Sequence, residues 1–317
     1  MRRPLIEFPL TQEDLNRLFA PSNELTVRSW DDIWLRNIQR NLELYPKPYP
    51  ATRLIVEEPN FHTMMVCGAG WTLRKLKAHA DKIPKSWGII CADRALGFLL
   101  DCGLEPNLVV TMDGDQLDQP HMQEAFKRLR YGYPKVPTLV DLVACPTITH
   151  QLRRPYFFRS MTDEEAKSTK FLREYMAQNN MAMDQLGHGG NVGSLCTIIA
   201  KYFYYARHVV LIGMNFSFVE GTRNKDTWEH REVDEDKHQT IDVSDMYGRP
   251  IRTMANLHNY RTWQEYFTHT NEDIEWINAN DGGYLGVHNP EYNYNHYTYE
   301  NLPQAIERLG DHGTEEH

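Results

Sequence analysis

Three short apolar runs, Met64–Cys67, Gly88–Cys91 and Leu108–Met112, follow one another inside the stretch from Met64 to Asp115. Each has the length of a strand, and each is apolar without alternation, the pattern of a strand covered on both faces. Helix-like segments separate them, and strands alternating with helices fold as a parallel sheet flanked by helices. Each run also ends in residues suited to a ligand: Gly68-Ala69-Gly70, then Asp93-Arg94, then Asp113-Gly114-Asp115. In open parallel sheets ligands bind beyond the carboxyl ends of the strands. The expected fold is therefore α/β, a Rossmann-like, mostly parallel sheet with a small helical N-terminal segment.

The remaining chain extends this reading. Residues 1–60 read as a helical segment and linker. Thr11 opens a short helix, Ser29 caps a second through WDDIWLRNIQRNLELY, and the alternating prolines of PKPYP form the linker. Residues 61–287 read as the main domain and 288–317 as a polar tail. Val136–Val143 is expected as a strand and Asp163–Leu186 as a helix. A second loop–helix–strand unit follows in LGHGGNVGSLCTIIA: a glycine-rich turn, a helix over Val192–Tyr205 and a strand over His208–Gly213. The polar stretch 219–250 reads as a lid or insert. A helix at Ala255–Phe267 and a strand at Ile274–Ala279 close the domain.

Composition narrows the function classes. The 317 residues carry a formal charge of −9, with an isoelectric point near 5.9. That argues against a general nucleic-acid binder, which presents a basic face. The five cysteines form no C-x-x-C pair, which reads as free thiols in a reducing compartment. No apolar run reaches the roughly 18 residues of a membrane span. A soluble, cytoplasmic protein is expected.

Candidate site residues follow from the strand ends. The turn at Gly68-Ala69-Gly70 lets backbone approach a phosphate or ribose, but Leu73, Arg74 and Lys75 follow, so the full G-x-G-x-x-G fingerprint of a dinucleotide site is absent. Asp113 and Asp115 have the spacing to hold a divalent cation against phosphate oxygens, or they are solvated turn residues around Gly114. Asn191 and Ser194 stand at a helix N-terminus that favours an anion, or Gly189, Gly190 and Gly193 serve tight helix packing. His230 and His238 are bases suited to neutral pH, or solvated loop residues. The tail histidines, among them His296, lack metal-ligand spacing.

Taken together, VCGAGWTL, CADRALGFLLDCGLEPNLVVTMDGD, GGNVGSLCTIIA and VVLIGMNFSF resemble the MptE-like domain over roughly Trp34 to Gly286. That family is named for the archaeal 6-hydroxymethyl-7,8-dihydropterin diphosphokinase. It includes the bacterial motility-associated Maf proteins, linked to flagellin glycosylation, and its core is similar to that of the CMP-dependent bacterial sialyltransferases. WLRNIQRN and the closing block DMYGRPIRTMANLHNY…WINANDGGYLG resemble the Maf branch. TMDGD resembles the magnesium-binding strand end of the diphosphokinases. Trp71 and Thr72 stand where the family has Pro and Ser, and Asn215 stands where a G-x-D carboxylate is usual.

The resemblance implies a transferase with a nucleotide or nucleotide-sugar partner and a protein or glycan acceptor. A homo-oligomer is compatible with it. As a Maf-like glycosyltransferase using a CMP-type nonulosonic sugar, Gly68, Ala69, Gly70 and Ser194 would meet the phosphate, and Asp93 and Asn191 the base or ribose. Trp71, Thr72, Arg94, Gly190 and Asn215 would complete the nucleotide site, with His238 or His258 as base. As a diphosphokinase, Asp113 and Asp115 would hold Mg2+ and Asp113 would act in catalysis. As a non-catalytic protein, the same fold would retain a drifted site.

Overall fold

The computed structural model describes residues 12–114, 120–131, 136–152, 155–160, 163–218, 240–287 and 296–310. In chain order the elements begin with helix α1 (Gln12–Leu44) and strands β1 (Tyr49–Pro50), β2 (Thr63–Cys67) and β3 (Gly88–Ala92). Then come α2 (Asp93–Asp101), β4 (Leu108–Thr111), α3 (Pro120–Tyr131), β5 (Thr138–Asp141), α4 (Pro146–Thr149), β6 (Pro155–Phe158) and α5 (Lys167–Gln178). They continue with α6 (Val192–Tyr202), β7 (His208–Ile212), β8 (Thr240–Ser244), β9 (Pro250–Met254) and α7 (Ala255–His269). The last are β10 (Glu275–Asn278), β11 (Tyr297–Tyr299) and α8 (Leu302–Gly310).

The chain forms two compact units, each from two stretches. The first unit is 1–56 with 108–188, the second 57–107 with 189–317. The first carries parallel strands in the order β1-β6-β5-β4. The second carries parallel strands in the order β3-β2-β7-β10-β11, plus the antiparallel hairpin β8–β9. The α/β class and the parallel pairing agree with the sequence reading. The three opening runs are strands, fully buried along their length, because both faces of a parallel sheet are covered.

In the first unit, α1 is one continuous helix rather than two, and Ser29 lies inside it instead of capping it. Its packing explains the WLRNIQRN block. Ile38 and Leu42 are buried, and Asn37 and Asn41, one turn apart, face the same way. Asn37 Nδ2 donates to the carbonyls of Gly114 (2.9 Å) and Val143 (2.8 Å). Asn41 Nδ2 donates to Leu142 (2.9 Å) and Ala144 (2.8 Å), while its Oδ1 accepts from the Thr149 hydroxyl at 2.6 Å. The helix therefore clamps the loops that follow β4 and β5. Replacing Asn41 by Leu strands two buried carbonyls and leaves the Thr149 hydroxyl only the Pro146 carbonyl, so a loss of about 2–4 kcal/mol is expected in urea unfolding. A change under about 0.5 kcal/mol would show that the clamp carries no stability.

Between β2 and β3 the expected helix is replaced by 3-10 turns, Trp71–Ala78 and Ala80–Lys82. So the segment that follows Gly68–Gly70 brings no α-helix N-terminus to that turn. In the expected helix 163–186, only 167–178 is helical. Part of the stretch read as a lid is the hairpin β8–β9. The stretch read as a polar tail supplies β11, parallel to β10, and α8. Among the described residues no helix is long and apolar enough to cross a membrane.

Candidate functional site

In the second unit β2 pairs with β3 on one side and β7 on the other. The chain leaves β2 for β3 in one direction and later reaches β7 in the other. This is a topological switch, the place where open α/β sheets bind ligands.

The loops at the switch are built on close backbone approach. Gly68 N donates to Ile212 O at 2.8 Å and Gly70 N to Gly213 O at 2.7 Å, so pairing continues past the ends of β2 and β7. A Cβ on Gly68 would lie 2.4 Å from Gly213 O, and one on Gly70 would lie 2.4 Å from Asn215 Oδ1. These glycines are required by packing, and the Gly70 amide is engaged internally. Ala69 is half-buried between them.

Asn215 and Thr72 are likewise internal. Asn215 Oδ1 accepts from Thr72 N (3.1 Å) and from the Thr72 hydroxyl (2.8 Å), and its Nδ2 donates to Gly282 O (3.2 Å). Asn280 Oδ1 accepts from Met214 N at 2.8 Å, and Asn280 Nδ2 donates to Asn278 Oδ1 at 2.6 Å. The ends of β2, β7 and β10 are thereby joined through an amide network. An amide suits this place, because Asn215 both accepts and donates. The block WINANDGG supplies Asn278, Asn280 and Gly282 to it.

Trp71 sits at the rim of the network. It is nine-tenths buried, a Cβ on Gly282 would lie 3.0 Å from its ring, and its buried indole N–H meets no acceptor among the described residues. The Lys75 ammonium lies 5.8 Å from the ring centroid and bridges to Asp281 at 2.6 Å.

Two helix N-termini meet this carboxyl edge. α2 starts directly from β3, with Asp93 buried and its Oδ1 accepting from Arg94 N at 2.7 Å. α6 packs on β2 and β3, and its first turn lies against Met214: a Cβ on Gly193 would sit 2.3 Å from the Met214 sulfur. Asn191 is the N-cap, with Oδ1 accepting from Ser194 N at 3.0 Å and Nδ2 donating to Ser194 Oγ at 2.9 Å. Asp93 is close enough to α6 that its charge, after burial, helps hold the Cys196 thiol up. Burial likewise raises the Cys67 and Cys91 thiols, so these cysteines are protonated core residues.

The glycine loop rests on α7. A Cβ on Gly189 would lie 2.2 Å from Trp263, and one on Gly190, at φ +81°, 2.1 Å from Tyr260. His258, on the same helix, faces Tyr284, with Nδ1 3.1 Å from its hydroxyl. Behind it Arg261 and Glu265 form a buried ion pair, Nε to Oε1 2.7 Å. His188, passed over in the sequence, precedes this loop, and burial pushes its imidazole down to about 4, so it is neutral at physiological pH. A histidine flanked by glycines before an apolar helix was the available signal.

The second unit thus brings together Gly68–Thr72, Asp93, Arg94, Gly190, Asn191, Ser194 and Asn215, with His258 on α7. Asp113 follows β4 in the first unit, where its carbonyl accepts from Cys145 N at 2.9 Å. Asp115 and His238 lie outside the described residues. Among the described residues, no group of three metal-competent side chains includes Asp113.

The family described as 6-hydroxymethylpterin diphosphokinase MptE-like matches residues 34–221. No curated protein matches. Among solved structures, one titled as a MAf glycosyltransferase from Magnetospirillum magneticum AMB-1 is similar at a TM-score of 0.57 and 13% identity. The match covers 88% of this chain and 42% of that one, so this chain spans less than half the length of that structure. At that identity the likeness shows a shared fold.

Proposed function

Since the chain belongs to the 6-hydroxymethylpterin diphosphokinase MptE-like family, we propose that it is a nucleotide-dependent transferase. We read it as a Maf-like glycosyltransferase using a CMP-type nonulosonic sugar. The observation that carries this is the pair of helix N-termini, of α2 and α6, at the carboxyl edge of β3-β2-β7. The positive ends of these two helix dipoles favour a phosphate. In transfer from a nucleotide sugar, negative charge builds on the departing phosphate, and such helix ends stabilise it. The glycosyltransferase title of the solved structure supports the same direction.

In this reading Gly190 and Gly193 bring backbone close to the phosphate, and Asn191 and Ser194 hold the first turn of α6 in place. Asp93 and Arg94 flank the nucleotide, and Trp71 offers the exposed edge of its ring to the base. Thr72 and Asn215 support the edge from within. His258, its ring oriented by Tyr284, takes the proton of the acceptor hydroxyl. His238, outside the described residues, is the other base the sequence offers.

A thermal-shift panel of CMP, UDP, GDP, ATP and a pterin, each with and without magnesium, tests the donor class. CMP is expected to raise the midpoint by several degrees, indifferent to magnesium. His258→Gln is expected to keep that shift while lowering transfer by about 10²–10⁴. Full transfer by the variant would remove His258 from the chemistry.

The family's printed activity supports a second reading, pyrophosphate transfer to a hydroxymethylpterin with Asp113 holding magnesium. Among the described residues Asp113 belongs to no group of three metal-competent side chains. A shift by ATP only with magnesium, abolished in Asp113→Asn, would favour that reading. No shift with any ligand would favour a non-catalytic protein.

A further inference from the structure

His269 is the last residue of α7, Glu272 lies in the turn that leads to β10, and His296 immediately precedes β11. The separation of His296 from the other two hides the group in the sequence. In the fold, one ligand atom from each of the three lies within 4.8 Å of the others. The imidazoles of His269 and His296 face each other with ring centroids 4.5 Å apart. His296 Nε2 lies 3.7 Å from Glu272 Oε1.

We propose that His269, Glu272 and His296 bind one divalent cation of the zinc class. Around zinc, bond lengths near 2.0–2.2 Å place neighbouring ligand atoms roughly 3.3 Å apart. Small side-chain rotations bring the group to that spacing, because Glu272 and His296 are exposed and His269 is half-buried. Two imidazoles and one carboxylate select a borderline cation over magnesium or calcium, which take oxygen donors. Three protein ligands leave one tetrahedral position for water. The site is independent of the proposed nucleotide edge. Its effect is local: the cation ties the α7–β10 turn to the start of β11, fastening a strand of three residues to the sheet.

The test is calorimetric titration of Zn2+ alone into the full chain, stripped with chelator and freed of any affinity tag. One Zn2+ per chain is expected, at micromolar affinity or tighter, with no competition from millimolar Mg2+. His269→Gln and His296→Gln should each weaken binding at least tenfold, while His62→Gln, at an exposed histidine elsewhere in the same unit, should not. Circular dichroism of each variant without metal establishes that it is folded. In the parent chain Zn2+ should raise the thermal midpoint, and in the two site variants it should not. Absence of Zn2+ binding by the parent chain, or equal affinity in folded His269→Gln and His296→Gln, would overturn the site.

Discussion

Gly213→Ala is expected to lose on the order of 3–5 kcal/mol of stability, enough to unfold a domain of ordinary stability at moderate temperature. Two costs combine. The residue has φ +71°, a left-handed conformation that an alanine adopts at a cost of about 1 kcal/mol. The new Cβ would also stand 2.2 Å from Gly68 O and 2.8 Å from Gly68 C. That neighbour is backbone, tied by the Gly68 N to Ile212 O bond, and it cannot rotate away. Relief requires parting the ends of β2 and β7, which also breaks the Gly70 N to Gly213 O bond. The control is Gly248→Ala, at φ +77° with nothing within 4 Å of the added carbon. It should cost only the conformational part, about 1 kcal/mol. Urea unfolding of the pair separates the two costs, and equal losses would show that contact with Gly68 is unimportant.

Arg261→Met should cost about 3–5 kcal/mol at pH 8 and less near pH 5.5. Arg261 is buried on α7. Its guanidinium lies 4.0 Å from the Tyr284 ring centroid, donates to Glu265 and donates to the Val287 carbonyl. Glu265 also accepts from Gly286 N at 2.9 Å. Burial raises the Glu265 carboxyl from 4.5 to about 7, against the opposing pull of Arg261. A carboxyl raised on folding contributes stability that is fully present below pH 4.5 and is lost as the pH rises through 7. Without Arg261 the carboxylate is a buried charge lacking its cation, so the loss with rising pH becomes steeper. Urea midpoints at pH 5.5 and pH 8 should diverge between parent and variant. The double variant Arg261→Met with Glu265→Gln should recover much of the loss at pH 8, because no charge is left to bury. A deficit independent of pH would show that Glu265 is not the group left uncompensated.

The strands legible in the sequence were those with a buried apolar run at their centre: β2, β3, β4, β5, β7 and β10. Covered on both faces, they have no polar face to dilute the signal. The missed elements are short or lie on the surface. β6 is four residues following Arg153-Arg154. The hairpin β8–β9 is partly exposed, and its clearest cue was Gly248 in the turn. α8 did carry a signal: Asn301 Oδ1 accepts from Gln304 N at 3.0 Å, and Asn301 N donates to Gln304 Oε1 at 2.9 Å. That is a reciprocal cap written as N-x-x-Q. At the candidate site, sequence located the strand ends and glycine loops, because position along a parallel sheet follows from the order of elements. It could not separate residues facing a ligand from residues facing each other. Thr72 and Asn215 have the polar chemistry of a binding site, yet their hydrogen bonds close inward with Asn280.

The strand at one end of each unit's parallel order, β1 in the first and β11 in the second, is only two or three residues long, and β1 ends in Pro50, which has no N–H to offer. A sheet margin of this kind gives another polypeptide little to pair with. Arg308 on α8 pairs with Glu275 on β10 and with Glu300 just after β11, placing charge beside this strand. Without β11, the rim of β10 would present the segment Glu-Trp-Ile-Asn to other copies of the chain. β11 therefore covers an edge of β10 that would otherwise be open to strand pairing.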